Sequence, residues 1–219
     1  MGNIIIHKIR KKIYKLIRCI HSYLPKIRGY LLFGIKDIQI DNHVVIPYPE
    51  TVFFKGSCVI KSYCRLESSL SQKIILGRNT MICSYTTIET AGGTIILGDN
   101  IIVGEYSTIQ GQGDVILEDN VLLASHVHFI SNDHTYTDID IPIKYQPNVS
   151  KKIIVKQDTW IGINVTVLSG VTIGKHCIIG SGSIVKNDVP DYSVAVGSPA
   201  KVVKKYNFEK NQWIQIKDV

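Results

Sequence analysis

One stretch of the chain gathers most of the side chains with chemistry to offer. Residues 131–152 hold His134, the acids Asp133, Asp138 and Asp140, the rings of Tyr136 and Tyr145, and two prolines. An imidazole titrates near neutral pH, so His134 is suited to take a proton from a hydroxyl as that oxygen attacks an electrophile. Asp133, Asp138, Asp140 or the later Asp158 could accept a hydrogen bond from its second ring nitrogen and fix its orientation. The sequence does not choose among them. The plain alternative is a histidine that hydrogen-bonds its own turn, surrounded by solvated acids. His126, His128, His134 and His176 do not show the spacing of a three-histidine zinc site. Cys19, Cys58, Cys64, Cys83 and Cys177 form no CxxC pair, and an odd number without a secretion signal points to reduced thiols. No bound metal is expected.

The elements that must position these groups are written in a six-residue beat. Aliphatic residues recur at Val155, Ile161, Val167, Ile173, Ile179 and Val185, and earlier at Leu76, Ile82, Ile88, at Leu97, Val103, Ile109, and at Leu117, Leu123, Phe129. Ile40, Ile46 and Val52 give a weaker opening echo. Six is neither a helical nor a simple strand period. It fits a short strand and a corner, repeated three times to close a triangular coil of about eighteen residues, with coils stacked about 4.8 Å apart. The repeated aliphatic residue then points inward, and each burial contributes about 1.5–3 kcal/mol. His126 and His128, three and five positions after Leu123, face outward on this reading.

The coils should run over residues 37–189, interrupted by 131–152, a polar stretch off the beat. An insertion of that length in a regular repeat is usually functional or disordered. Residues 1–36 form a basic arm with nine Lys or Arg and no acid, which leaves 16 bases against 18 acids elsewhere. The net charge of +7 therefore belongs to the arm and does not indicate a nucleic-acid partner. Residues 4–24 carry apolar side chains at helical spacing, and Pro25 and Gly29 should break that helix. Either its apolar stripe caps the first coil or it rests on an anionic membrane surface. No run of 18 apolar residues is present. The tail, 190–219, leaves the beat at Pro190 and Pro199 and should end in a short helix near 202–215.

The repeat resembles that of the hexapeptide-repeat acyltransferases, which implies an all-β fold, a left-handed parallel β-helix. The run Asn120 to His134 resembles the segment of sugar O-acetyltransferases (galactoside, maltose, nodulation and polysaccharide enzymes) that ends in their catalytic histidine. Asp158-Thr-Trp-Ile-Gly162, Asp188-Val-Pro190 and Val196-Gly-Ser-Pro-Ala-Lys201 resemble their last coils and tail. Over residues 60–205 the resemblance implies a general base at His134 and acetyl-CoA as co-substrate. It places Gly162, Ile163 and Ser181 along the pantetheine arm, Lys186 and Asn187 further out, and Lys201 and Lys204 near the phosphates. Asp133 and Trp160 would line the acceptor cleft. It also implies a homotrimer with the cleft between neighbouring chains. The cysteines point to the cytoplasm, and the basic arm to the inner face of the membrane. The asparagine with which the galactoside enzymes hold their sugar is absent near Gly104 and Glu105, so the expected acceptor is a surface-polysaccharide sugar or its precursor. N-acetylation of a nucleotide-linked amino sugar is the alternative within the same chemistry. A zinc hydratase and a non-enzymatic scaffold are the readings outside it.

Overall fold

A computed structural model describes residues 24–216. Three parallel sheets form the faces of a triangular prism. The first face stacks Ile38–Ile40, Cys58–Ile60, Thr80–Ile82, Ile102–Val103, Leu122–Leu123, Trp160–Ile161 and Ile178–Ile179. The second stacks Arg65–Glu67, Thr87–Glu89, Thr108–Gln110, His128–Ile130, Thr166–Val167 and Ile184–Val185. The third stacks Val52–Phe54, Ile74–Leu76, Ile95–Leu97, Val115–Leu117, Ile153–Val155 and Thr172–Ile173. This is the parallel β-helix of stacked hexapeptide coils that the periodicity implies. Every aliphatic residue on the beat is buried except Ile46, which is partly buried against the same core. Small or β-branched residues two positions earlier, such as Thr86, Ser107, Val165 and Ser183, are buried as well.

The beat is kept at two corners and broken at the third. Between first and second faces, Ile82 to Ile88, Leu123 to Phe129 and Ile161 to Val167 are each six residues apart. Between third and first faces, Leu97 to Val103 and Val155 to Ile161 are six apart as well. Between second and third faces the spacing is ten for Leu66 to Leu76, nine for Ile88 to Leu97, eight for Ile109 to Leu117, and six for Val167 to Ile173. Phe129 to Val155 spans 26, because the 131–152 insertion leaves at this same corner.

The two regular corners are locked by ladders of side chains on residues with left-handed backbone. Along the first, His43, Tyr63, Tyr85, Tyr106 and His126 have φ between 57° and 64°. Their rings stack with centroids 4.8–5.0 Å apart and planes within 10°. Along the other, Asn79, Asn100, Asn120 and Asp158 have φ between 55° and 60°. Their side chains donate and accept in sequence at 3.2, 2.9 and 2.9 Å. Asparagine and aspartate tolerate this conformation by local hydrogen bonding, whereas a tyrosine there is uncommon and its ring stacking must offset the cost.

Two terminal expectations are corrected. Residues 24–33 are helical, so Pro25 and Gly29 do not break the helix there. Gly29 is instead the point of closest approach, since a Cβ would collide with the Ile38 carbonyl. Phe33 meets Phe54 edge-on at 4.7 Å, which seats this segment on the first coil. The remainder of the expected 4–24 helix lies outside the described residues. The tail is not helical either. Ser193–Gly197 extends the first face in parallel, and Ala200–Asn207 and Gln212–Gln215 add antiparallel strands. An open sheet edge beside the β-branched Val202 and Val203 outweighs local helical spacing, and Asn207, whose Oδ1 accepts from the Lys210 amide at 2.7 Å, closes the turn.

Inward and outward neighbours should differ sharply in cost. Leu123→Ala should destabilise the fold by about 2–5 kcal/mol, while Leu122→Ala, one residue away and facing out, should cost well under half of that, as read from denaturation midpoints. Burial pushes the Cys58 thiol up to about 12 and the Cys64 thiol up to about 11. Both stay protonated at pH 8, so peptide mapping after native alkylation should find them unmodified, and modified once the chain is unfolded.

Candidate active site

The 131–152 insertion is an ordered arm. Asn132–His134 pairs antiparallel with Asn148–Ser150, with His134 opposite Asn148. Ser131 anchors its base, donating to the Gln110 carbonyl at 2.7 Å and accepting from the Gly113 amide at 2.9 Å. The tip carries a short 3-10 turn, Ile143–Tyr145. Gln146 is buried there, and its side-chain amide donates to the carbonyls of Asp138 and Ile141, both at 2.7 Å. The arm therefore holds its shape with one glutamine where a hydrophobic core would be too small to form.

His134 is exposed at the base of this arm and lines a cavity of about 440 Å³ with Asp133, Thr135, Tyr136, Lys151 and Ser169. Lys151 and Ser169 were not singled out by sequence. The Lys151 amide donates to Ser169 Oγ at 3.1 Å, which ties the returning strand to the coil below. Among the described residues no acid hydrogen-bonds the His134 ring. Asp158 lies on the asparagine ladder at another edge, where it accepts from Asn120, and Asp138 accepts from the Asp140 amide at 2.9 Å. Asp133 lines the same cavity.

The remaining site residues fall on separate parts of the prism. Gly162, Ile163 and Ser181 share the corner between first and second faces, Gly162 and Ile163 one coil and Ser181 two coils below His126 of the aromatic ladder. Lys186 and Asn187 are exposed at the other corner, between second and third faces, the edge from which the His134 arm leaves. Trp160 stands half exposed on the first face, in register with Leu122 and Ile178. Lys201 and Lys204 sit on the tail strand opposite Val196 and Val194. His126 stacks on Tyr106, His128 projects from the second face and His176 occupies the asparagine-ladder edge, so these three histidines do not converge. Among the described residues no group of three or more His, Cys, Asp or Glu is placed to hold a metal.

Residues 152–187 match the family described as bacterial transferase hexapeptide (six repeats). Over that segment the coils carry the repeat of that family. The chain is also 40% identical over 132 residues to a protein of Mycobacterium tuberculosis named as a probable acetyltransferase, covering 60% of this chain and 35% of that one. It is 34% identical over 107 residues to an Escherichia coli K12 protein named for lipopolysaccharide biosynthesis O-acetyl transfer, covering 45% of this chain and 54% of that one. The chain thus spans about a third to a half of the length of these relatives. A variant of the Bacillus cereus N-acyltransferase AntD, solved with dTDP and coenzyme A, shares the fold with a TM-score of 0.62 at 19% identity, over 73% of this chain and 85% of that one.

The hexapeptide coils explain why Gly162 is a glycine. A Cβ there would stand 2.8 Å from both the Ile179 carbonyl oxygen and the Ser181 amide nitrogen of the next coil. Gly162→Ala should therefore push two coils apart and lower stability by about 1–3 kcal/mol, seen as a fall in the thermal midpoint, whereas Ser181→Ala, with its exposed side chain, should leave the midpoint within experimental scatter.

Proposed function

We propose that the chain is an acetyl-CoA-dependent acetyltransferase that O-acetylates a sugar of a bacterial surface polysaccharide or its precursor. The observation that carries this reading is the placement of His134. It is delivered by a hydrogen-bonded arm into a cavity at the one corner where the hexapeptide beat is broken. A carbohydrate hydroxyl in that cavity gives its proton to the imidazole as its oxygen attacks the thioester carbonyl. The tetrahedral oxyanion needs a backbone amide, and that of Ile163 is assigned the task. The C–S bond then breaks, and the imidazolium returns its proton to the departing CoA sulfur. Gly162, Ile163 and Ser181 line the pantetheine arm, Lys186 and Asn187 lie further out, and Lys201 and Lys204 meet the phosphates as point charges. Asp133 and Trp160 border the acceptor.

The pantetheine residues and His134 occupy different corners of the prism, so we assign the complete site to neighbouring copies in a homotrimer. We place it in the cytoplasm, where the basic residues 1–36 favour the anionic inner face of the membrane. Among the described residues no helix is long and apolar enough to cross a membrane. The second reading, N-acetylation of a nucleotide-linked amino sugar, is favoured by the fold shared with the dTDP-bound N-acyltransferase.

His134→Ala should lower kcat by about 10²–10⁴-fold with an unchanged melting temperature, measured as acetyl-CoA turnover. A variant that keeps full turnover overturns the assignment. Mass shifts on hydroxyl and amino acceptors, each incubated with acetyl-CoA, separate the two readings.

A further inference from the structure

A second cavity lies on the same edge as His134 and takes no part in the chemistry above. It has a volume of about 470 Å³ and is built by the two widest corners, residues 68–73 and 90–94. Its lining includes Glu67, Glu89, Ser69, Gln72 and Tyr48, with the buried Thr90 hydroxyl turned toward the Gln72 amide oxygen. Such a mixture of acceptors, donors and one aromatic face suits a polyhydroxylated ring.

Two features argue against a merely structural role. Glu67 and Glu89 are directly in register on adjacent parallel strands, a like-charge juxtaposition that costs stability. Arg65 pairs with Glu67 at 2.5 Å, but among the described residues no cation pairs with Glu89. The corner between this cavity and the His134 arm is also the low one. It is only Gly111, Gln112, Gly113 and Asp114, shorter than the wide corners above it and the arm below it. The wide corners stand two and three coils above the arm, about 10–14 Å at the strand spacing.

We infer that this low corner is the floor of an extended acceptor groove, in which an oligosaccharide places one ring at Glu89 and Gln72 and another, a few sugar units along, at His134. The ligand class is a neutral or amino-bearing glycan chain; the paired carboxylates repel a polyanionic one. The inference rests on the acetyl-transfer reading for the meaning of the His134 end, but its test does not require turnover.

Binding of maltotetraose and chitotetraose to the full chain, against glucose and N-acetylglucosamine, is measured by saturation-transfer NMR titration. A sialic acid tetramer serves as the anionic control. The expected result is at least tenfold tighter binding of a neutral tetrasaccharide than of its monosaccharide, with saturation spread over more than one ring. Glu89→Gln should bring that ratio down toward one while its melting temperature stays level or rises, since a like charge is removed. A purely structural Glu89 would give the opposite pair of outcomes. Equal affinity for single rings and chains, a ratio untouched by Glu89→Gln, or preferential binding of the anionic tetramer overturns the groove. Chain-length-dependent binding without acetyl transfer to any of these sugars would leave the groove standing and overturn the transfer reading instead.

Discussion

Each coil must turn three corners and return to its start one strand spacing higher, and that pitch is the constraint on which the rest depends. It forces residues of left-handed backbone at the corners, a conformation that L-amino acids other than asparagine, aspartate and glycine adopt at some cost. The same pitch brings equivalent corner residues of successive coils to about 4.8–5.0 Å, which is stacking distance for rings. A tyrosine in a disfavoured backbone is thereby held by the rings above and below it, each pair contributing about 0.5–1.5 kcal/mol. Side-chain amides achieve the same on the second edge by hydrogen bonds from coil to coil.

A corner that participates in a ladder cannot change length without breaking it. The corner between second and third faces has no continuous ladder, and it is there that spacing drifts from ten residues to six and that the 131–152 arm emerges. Length variation and the arm bearing His134 share an edge for one reason: backbone can be added there without disturbing the inward stack. The arm then needs its own support, which Ser131 provides at the base and Gln146 near the tip.

Much of this was legible in the sequence because burial is periodic. An inward residue every sixth position is a signal that local exceptions cannot erase, and nearly all of the residues it selects are buried. The ladders were equally periodic, three positions past each inward residue, but the aromatic one is three tyrosines with a histidine at each end and so hides from a search for apolar repeats. The terminal segments were misread for a different reason. Pro25, Gly29 and the Val202–Gln215 stretch were judged by local propensity, whereas the surface of the first coil and an open sheet edge decide their conformation. His134 was legible as a histidine off the beat; its companions Lys151 and Ser169 were not, because they meet it only through the pairing of the arm's two strands and the coil below.

The prism also limits how the site can work. The edge bearing His134 and the edge bearing Gly162, Ile163 and Ser181 are separated by the whole second face, and that face is backed by a filled core of which Phe129 and Val167 are part. A convex body cannot close two of its own edges on one ligand. If a thioester lies against the Gly162 corner and its acceptor against the arm, the wall opposite each must come from another molecule. Because the coils are rigid along two laddered edges, that wall cannot be supplied by bending. In the homotrimer proposed above it is supplied by assembly, with the arm of one copy reaching the laddered edge of the next. The bare faces of Asn164 and Gly182, which continue the first ladder's position below His126 without a ring, leave that edge open at the level where such a ligand would run.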